Sequence, residues 1–184
     1  MRLLFHCCCG PCAGACCESL QSESIIPELF WYNPNIHPFT EYKNRKDSLV
    51  QFGAEKNLKV NLNDEYGLRA FIRSVGDNME NGPETSDARR CLYCYRVRLE
   101  KTAMTASRQG FDGFSTSLLA SPYQRHDDIR KIAGELAEKY KTVFVYRDFR
   151  IYFREAQAKA RGMGLYMQKY CGCIFSEEER YFRK

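Results

Sequence analysis

The cysteines of this chain are gathered into three short segments, and this grouping restricts how the chain can fold. Six of the ten cysteines lie within the first seventeen residues. The other four form two close pairs, one at Cys91 and Cys94 and one at Cys171 and Cys173. Thiolate ligands must converge on a few ångströms of space to hold a metal centre. The grouping therefore indicates metal or redox chemistry, which requires these segments to meet in the fold.

The composition is that of a single globular domain, predicted to span residues 1–184. Of its residues, 44% are hydrophobic and 28% are charged, which suits a chain that can bury a core. Ten cysteines in 184 residues are too few for a disulfide scaffold. The N-terminal apolar run is too short for a signal peptide, and no run is long enough to cross a membrane. We therefore expect a cytoplasmic protein with free thiols and no membrane partner.

Apolar runs and amphipathic stretches alternate along the chain and predict strands and helices in turn. Strands are predicted over Arg2–His6, Ile26–Tyr32, Leu58–Leu62, Phe111–Leu119 and Thr142–Asp148. Helices are predicted over Ala13–Gln21, Glu41–Asn57, Tyr66–Ser74, Ser86 or Asp87 to Arg108, Gln124–Tyr140 and Phe153–Gly162, with a polar loop over Asp77–Asp87. The alternation predicts an α/β fold, a Rossmann-like parallel sheet with helices on both faces and helical additions. Ligands of such sheets bind beyond the carboxyl ends of the strands.

Four cysteines are candidate ligands of one metal centre. Cys8 and Cys9 follow the first predicted strand, whereas Cys91 and Cys94 share a face near the predicted start of a long helix. A helix N-terminus favours the thiolate form of cysteine. Four thiolates can hold Zn²⁺ or a 4Fe–4S cluster. Structural zinc sites separate paired cysteines by about two to four residues, so the adjacent cysteines favour the cluster.

The remaining cysteines are predicted to differ in role. Gly172 between Cys171 and Cys173 permits the turn that a strained, easily reduced disulfide would need; a second pair of metal ligands is the alternative. Cys12 is close enough in sequence to Cys9 to reach the same site. The others are expected to be packed thiols: Cys7, Cys16 and Cys17.

Asp148 is a candidate proton donor, because it follows an apolar strand where burial would raise its pKa. The alternative is an ion pair with Arg147 or Arg150. Other candidate donors are Tyr123, His126 and Tyr166. His6, beside the cysteines, is expected to support its neighbours through hydrogen bonds.

The net charge of +5 permits a polyanionic partner but does not require one. Part of this charge lies toward the C-terminus and equally suits a solvated helical face. The residues concerned are Arg147, Arg150, Arg154, Lys159, Arg161 and Lys169. The chain has no phosphate-binding Gly-Xaa-Xaa-Xaa-Xaa-Gly-Lys run and no dinucleotide-binding glycine fingerprint after its first strand. Neither ATP nor NAD is therefore expected as a cofactor.

Five motifs resemble, in order and spacing, those of the QueH-type epoxyqueuosine reductases. They are Leu4 to Cys12, Arg90 to Leu99, Ser115 to Tyr123, Asp148 to Arg150 and Tyr166 to Cys173. The resemblance runs nearly from end to end of the chain. It implies a cobalamin-independent oxidoreductase that removes the epoxide oxygen of epoxyqueuosine in tRNA with two electrons, giving queuosine. This is the last step of queuosine biosynthesis.

The same resemblance implies cofactors, partners and site residues. Four cysteines would hold a 4Fe–4S cluster: Cys8, Cys9, Cys91 and Cys94. Cys171 and Cys173 would form a redox-active pair, and an additional iron would lie beside the cluster, with Cys12 and Asp148 as candidate ligands. Because the first cysteine run is longer than the family's tandem pair, Cys7–Cys8 is the competing register. The implied partners are the tRNA anticodon loop and an electron donor that the sequence does not identify.

The alternation of elements also resembles the nucleotide α-hydrolase-like relatives of the Rossmann fold, which include tRNA thiolases and adenylylsulfate reductases. Two other functions are compatible with parts of the sequence. One is ATP-dependent tRNA sulfuration on a related scaffold, against which the missing phosphate motif argues. The other is a non-catalytic, Zn-stabilised RNA-binding module, which would be colourless and contain zinc in place of iron.

Overall fold

Four parallel strands form the central sheet of the computed structural model, which describes residues 1–76 and 83–182. The strands are β1 (Arg2–His6), β2 (Ile26–Trp31), β3 (Val60–Leu62) and β4 (Gly113–Thr116). Their spatial order is β3-β2-β1-β4, and all three pairings are parallel. In this register His6 lies level with Phe30 and Thr116. The carboxyl ends of the strands therefore meet at one edge, which is called the carboxyl edge below.

Seven α-helices surround the sheet within the described residues. They are α1 (Gly10–Ser22), α2 (Phe39–Glu55), α3 (Leu68–Gly76), α4 (Pro83–Arg108), α5 (His126–Tyr140), α6 (Phe153–Gly162) and α7 (Ile174–Tyr181). Two 3₁₀ helices span Ser117–Ala120 and Arg150–Tyr152. Helices α1, α2 and α6 pack together, as do α4 and α5, and both groups contact the sheet. None of the described helices has the length and apolar character needed to cross a membrane.

Strand β1 is buried on both of its faces. Leu3, Leu4, Phe5 and His6 are fully buried, although successive side chains of a strand point to opposite faces. A strand covered on both sides is apolar without alternation, as this run is. Each leucine or phenylalanine buried in this way stabilises the fold by about 2 kcal/mol. The predicted α/β fold with helices on both faces of a parallel sheet is confirmed. The cysteine run begins directly after the buried strand β1, which holds its first residues in place.

Two of the predicted strands differ most from the structure, those over 111–119 and 142–148. Over the predicted strand at 142–148, only a bridge between Phe114 and Phe144 joins the chain to β4. Val143 is exposed, so this edge segment buries too little surface to extend the pairing. Strand β4 ends at Thr116 because the chain turns into a 3₁₀ helix there, where the Thr116 side chain accepts a hydrogen bond from the backbone N–H of Leu118.

The helical predictions also need two corrections. Helix α4 begins at Pro83, before the predicted caps at Ser86 and Asp87, and proline is favoured in the first turn of a helix. Of the predicted polar loop at 77–87, residues 77–82 lie outside the described residues and the rest is helical. Helix α7 had no counterpart among the predicted elements, because none of its side chains is buried to give an apolar face.

Candidate metal centre

Three cysteines form a compact cluster where β1 leads into α1. The Sγ atoms of Cys8, Cys9 and Cys12 all lie within 4.8 Å of one another, and all three side chains are buried. Cys9 is the N-cap residue of α1, Pro11 stands in its first turn, and Cys12 follows Cys9 by about one turn. The break from strand to helix therefore turns these thiols toward a common point. We call them the cysteine triad.

Residues from neighbouring strands and helices hold the backbone of the triad. The N–H of Cys8 donates to Ser117 Oγ at 3.1 Å, and Asn33 Nδ2 donates to the carbonyl of Cys7 at 2.9 Å. A Cβ added to Gly10 would lie 2.6 Å from the carbonyl oxygen of Ser48. Only glycine therefore permits this close approach of α1 to α2. These contacts hold the triad in place at the carboxyl edge of the sheet.

All three cysteine segments reach one cavity at the carboxyl edge. The cysteines that line it are Cys8, Cys12, Cys91, Cys94, Cys171 and Cys173. The loop after β4 contributes Ser117, Ser121 and Gln124 to the same wall. Cys9 lies within the triad beside Cys8 and Cys12. The fold thus brings together all seven cysteines that the sequence names for the site, and we call this space the cysteine cavity.

Cys91 and Cys94 lie in the middle of α4 and not near its start. They are the ninth and twelfth residues of a helix that begins at Pro83. The prediction that a helix N-terminus favours their thiolate forms is therefore wrong. Burial raises the pKa of Cys91, and it raises the pKa of Cys94 to about 12. Both are thiols at neutral pH unless a metal displaces their protons.

The triad shares its protons unequally. Hydrogen bonds from Cys12 and Cys9 lower the pKa of Cys8 well below its ordinary value. The pKa of Cys12 is raised by its hydrogen bonds to Cys8 and Cys9 and by burial. The hydrogen bonds of the triad therefore favour the deprotonated form at Cys8 and the protonated form at Cys9 and Cys12. Metal binding would release the protons that remain.

Buried arginines surround these thiols. Arg45 is fully buried, and its Nε donates to Glu41 at 2.6 Å. Arg98 is also buried and donates to the carbonyl of Cys94 at 2.8 Å. Arg90 lines the cavity beside it and pairs with Glu179 at 2.9 Å. Buried cations are unfavourable unless negative charge compensates them. A centre held by several thiolates would supply such charge, so these residues fit an anionic metal–thiolate group.

The Cys171–Cys173 pair lies on a turn that hydrogen bonds from a buried arginine hold in place. The two Sγ atoms are 3.9 Å apart and both thiols are free. Gly172 has a φ of +118°, which confirms that the turn depends on glycine. The guanidinium of Arg45 donates to the carbonyls of Tyr170 and Cys171 at 2.8 and 3.1 Å. One buried arginine therefore connects this turn to the region of the triad.

The two thiols of this pair differ in acidity. A hydrogen bond from Cys173 lowers the pKa of the exposed Cys171 to about 5, and Ser176 Oγ lies 2.9 Å from its sulfur. The same hydrogen bond, together with burial, raises the pKa of Cys173. Cys173 Sγ also accepts from the backbone N–H of Ser176 and so caps α7. An exposed thiolate beside a protected thiol is typical of a dithiol ready for exchange.

Asp148 does not have the environment predicted for it. Its carboxylate is exposed and bonds Arg150 Nε at 2.8 Å, and it does not line the cysteine cavity. The Arg150 side chain holds the pKa of Asp148 at about 2. The prediction of a buried carboxyl with a raised pKa is wrong, because the chain leaves the sheet before this residue. The alternative ion pair with Arg150 is confirmed, and Arg147 pairs with Glu23 instead.

The other predicted residues divide between the core and the surface. Cys7, Cys16 and Cys17 are buried in the core, as expected of packed thiols. His6 bonds Thr116 and Asn33 at 2.9 and 3.2 Å, and burial lowers its pKa to about 4, which confirms a supporting neutral ring. Lys159 pairs with Glu18 and Glu155, so it lies on a solvated face.

Sequence reasoning did not identify the buried arginines and amides of the site. Arg45 reads as a surface cation on an amphipathic helix, since its partner Glu41 precedes it by four residues. Its contacts with Tyr170 and Cys171 come from a distant segment and leave no local signal. Asn35 and Gln168 also line the cysteine cavity. The Asn33–Pro34–Asn35 turn after a strand was the one available indication of Asn35.

Comparison with known proteins shows which family has a similar sequence. A sequence model of the family described as epoxyqueuosine reductase QueH matches residues 3–179. This chain belongs to that family. The epoxyqueuosine reductase QueH of Dehalococcoides mccartyi is 33% identical over 180 residues, covering 98% of this chain and 94% of the relative. That of Thermotoga maritima is 34% identical over 185 residues, covering 97% and 91%. The resemblance carried by the five motifs is thereby confirmed.

The fold is also similar to that of a solved structure described as a predicted subunit of tRNA methyltransferase from Methanocaldococcus jannaschii. The TM-score is 0.52 and the identity 13%, and the match covers 100% of this chain and 93% of the other. At this identity the likeness shows the fold alone. It agrees with the Rossmann-like parallel sheet described above.

Proposed function

We propose that this chain reduces epoxyqueuosine in tRNA to queuosine, as the last step of queuosine biosynthesis. The observation that carries the proposal is the convergence of three cysteine segments on one cavity in a member of this family. Two electrons and two protons convert the epoxide to a carbon–carbon double bond and one molecule of water. The site therefore needs a reductant, a proton source and room for the epoxide-bearing ring.

Four cysteines are proposed to hold a 4Fe–4S cluster: Cys8, Cys9, Cys91 and Cys94. When bound, such a cluster supplies electrons singly. The Cys8–Cys9 register is favoured over Cys7–Cys8, because Cys7 Sγ is buried and donates to the carbonyl of Phe5 at 3.3 Å. Buried Arg45 and Arg98 offset the charge that four thiolates bring. Cys12, the remaining member of the triad, is proposed as a ligand of an additional iron.

The Cys171–Cys173 dithiol is proposed as a two-electron reserve. Its oxidation to a disulfide releases two electrons, which is the number that the epoxide consumes. Cys173 retains its proton and contributes one of the two protons required. Solvent supplies the other, because Cys171 is already a thiolate at neutral pH. An external electron donor, whose identity is open, then restores the dithiol.

The tRNA is proposed to approach over the loop that follows β4. Tyr123 in this loop is 84% exposed, and its neighbours Ser121 and Gln124 line the cysteine cavity. An exposed ring at the mouth of a site can stack on a base of the single-stranded anticodon loop. Arg154 follows Phe153, whose ring packs edge-on against Tyr123, and can contact an RNA phosphate. We propose the cytoplasm as the location, because reduced thiols persist there.

The direct test is anaerobic incubation of the reconstituted protein with tRNA that carries epoxyqueuosine, together with a chemical reductant. Nucleoside mass spectrometry should show loss of one oxygen atom and formation of queuosine, in step with enzyme concentration. A variant in which Cys94 is replaced by alanine serves as the matched control. Retention of the epoxide by a protein with an intact metal centre would contradict the proposal.

A further inference from the structure

A second cleft adjoins the cysteine cavity and shares one residue with it. Its walls include the rings of Tyr32, Phe71 and Tyr93, with Glu65 at the rim. Asn35 lines both this cleft and the cysteine cavity. We call it the aromatic cleft. The proposed mechanism gives this cleft no part.

Asn35 provides an unused hydrogen-bond acceptor between the two spaces. Its side chain is 2% exposed, and its Oδ1 atom has no hydrogen-bond partner among the described residues. A buried amide oxygen without a donor is unfavourable, and a ligand or an ordered water can supply that donor. Asn35 is thus common to the linings of the two spaces.

Glu65 adds a carboxylate to the same cleft. It is exposed, and it forms no ion pair within residues 1–76 and 83–182. Burial and then the charge of Glu65 raise the pKa of Tyr32, and both residues line the cleft. A Cβ added to Gly67 would lie 2.5 Å from the side chain of Pro34. The segment that carries Glu65 is therefore packed tightly against the loop after β2 and is held in place.

We propose that the aromatic cleft binds the base of the modified nucleotide while its epoxide-bearing ring reaches the cysteine cavity. This inference rests on the proposed function. The substrate's base is a 7-deazaguanine, a flat ring system with N–H donors along its Watson–Crick edge. Its epoxide-bearing ring is attached through a short arm at the opposite side. Two adjoining spaces with one shared wall match a ligand of two joined parts.

The chemistry of the cleft agrees with such a base. Aromatic rings stack on flat bases of single-stranded RNA, and bases taken out of a stack are read through hydrogen bonds to their edges. The Glu65 carboxylate can accept from the ring N–H and the exocyclic amine together, which is a bidentate contact. Asn35 Oδ1 can accept from the arm or the base as the ligand crosses into the cysteine cavity. A base without the amine would lose one donor to Glu65.

The test uses Glu65→Gln in the full-length, metal-loaded protein, with steady-state reduction of epoxyqueuosine-containing tRNA. We expect KM to rise about tenfold or more, with kcat nearly unchanged and with the same visible spectrum, since a bidentate contact is lost. Glu138→Gln is the matched control: it removes the same charge from an exposed site on α5, and its KM should stay at the wild-type value. An unchanged KM for Glu65→Gln would overturn the inference.

A second experiment removes from the substrate the exocyclic amine that Glu65 is proposed to bind. Anticodon stem-loops whose modified base lacks the exocyclic amine should raise KM for the wild-type protein but cause little further change for Glu65→Gln. Fully additive effects would overturn the assignment of Glu65. Wild-type protein that leaves the epoxide intact would instead overturn the proposed function, and this inference with it. The two failures are therefore distinguishable.

Discussion

The two cysteine groups that face each other across the cavity are built in opposite ways. The triad of Cys8, Cys9 and Cys12 is buried after strand β1, where the backbone N–H of Cys8 donates to Ser117 Oγ. The Cys171–Cys173 pair lies on a glycine turn at the protein surface, where Cys171 is exposed. One group is buried, and the other exposes Cys171 to solvent.

This difference separates two kinds of sulfur chemistry. A metal centre needs several thiols held rigidly in the same place, whereas thiol exchange needs an accessible thiolate beside a second thiol. Arg45 is common to both, because its charge acts on Cys8 while its guanidinium fastens the carbonyl of Cys171. The comparison predicts that changes to the two groups will have separable effects on metal content and on turnover.

The largest effect is expected where a cluster ligand is removed. Cys94→Ala should lose most of the bound iron and reduce turnover by more than the roughly 100-fold that follows loss of a supporting residue. Cys16 is a similarly buried thiol outside the cavity, so Cys16→Ala should keep both the bound iron and the turnover rate. Iron analysis and a turnover assay measure these effects in both variants. Equal iron content in the two variants would contradict the division between ligand and packed thiol.

Removal of the exposed thiol should have a different result. Cys171→Ser is expected to keep its iron within experimental error and to lower multiple-turnover reduction roughly 100-fold, since no disulfide can form. Iron content and absorbance are measured beside the rate. Loss of the metal centre in this variant would make Cys171 a ligand and would remove the contrast between the two groups.

The requirement for glycine at position 172 can be tested by measuring how its substitution changes the free energy of unfolding. Gly172→Ala should reduce the free energy of unfolding by about 1–3 kcal/mol, because φ is +118° and the added Cβ would lie 3.1 Å from Arg45. Gly162→Ala, at the end of α6 with nothing within 4 Å of the added atom, should be neutral or slightly stabilising. Urea unfolding measures both. Equal values would show that the turn carries no conformational constraint.

The acidity of Cys171 predicts a pH dependence of alkylation in metal-free, reduced protein. The thiolate is the reactive form, so the rate should fall as the pH drops through about 5 and be constant well above it. In urea the same cysteine should become half-reactive only near pH ~8.5. Mass spectrometry of iodoacetamide-treated protein gives both profiles. A folded-state midpoint near the unfolded value would contradict the lowered pKa.

Asp148 is expected to show the smallest effect. Since its carboxylate is exposed and paired with Arg150, Asp148→Asn should change turnover less than about threefold and stability by less than ~1 kcal/mol. Rate and urea unfolding are compared with the wild type. A loss of turnover near 100-fold, with the alkaline limb removed from the pH profile, would restore the general-acid assignment.

Several parts of the fold and site could be anticipated from sequence because their causes are local. The apolar run at Arg2–His6 predicts the buried strand, and the helix predicted over Ala13–Gln21 is present, although it begins earlier, at Gly10. The convergence of Cys91 and Cys94 with the triad also follows from the family motifs.

Other features depend on contacts between distant segments. Residues 142–148 look like a strand, but their pairing depends on how much of the sheet edge they cover. Asp148 looks buried from its apolar neighbours, yet Arg150 and the exit of the chain from the sheet decide its pKa. Arg45 carries the pattern of a surface helix, and only the fold brings Tyr170 and Cys171 to it.

The most direct test of the account is a metal and sulfide analysis of anaerobically purified protein, combined with its absorption spectrum. A 4Fe–4S cluster in the cysteine cavity predicts about four iron atoms and four acid-labile sulfides per chain, more iron where the additional site is filled, and a brown protein with broad visible absorption. Colourless protein that contains zinc and no sulfide would contradict it. The converging thiols would then form a structural site, and the proposed reduction would lack its source of electrons.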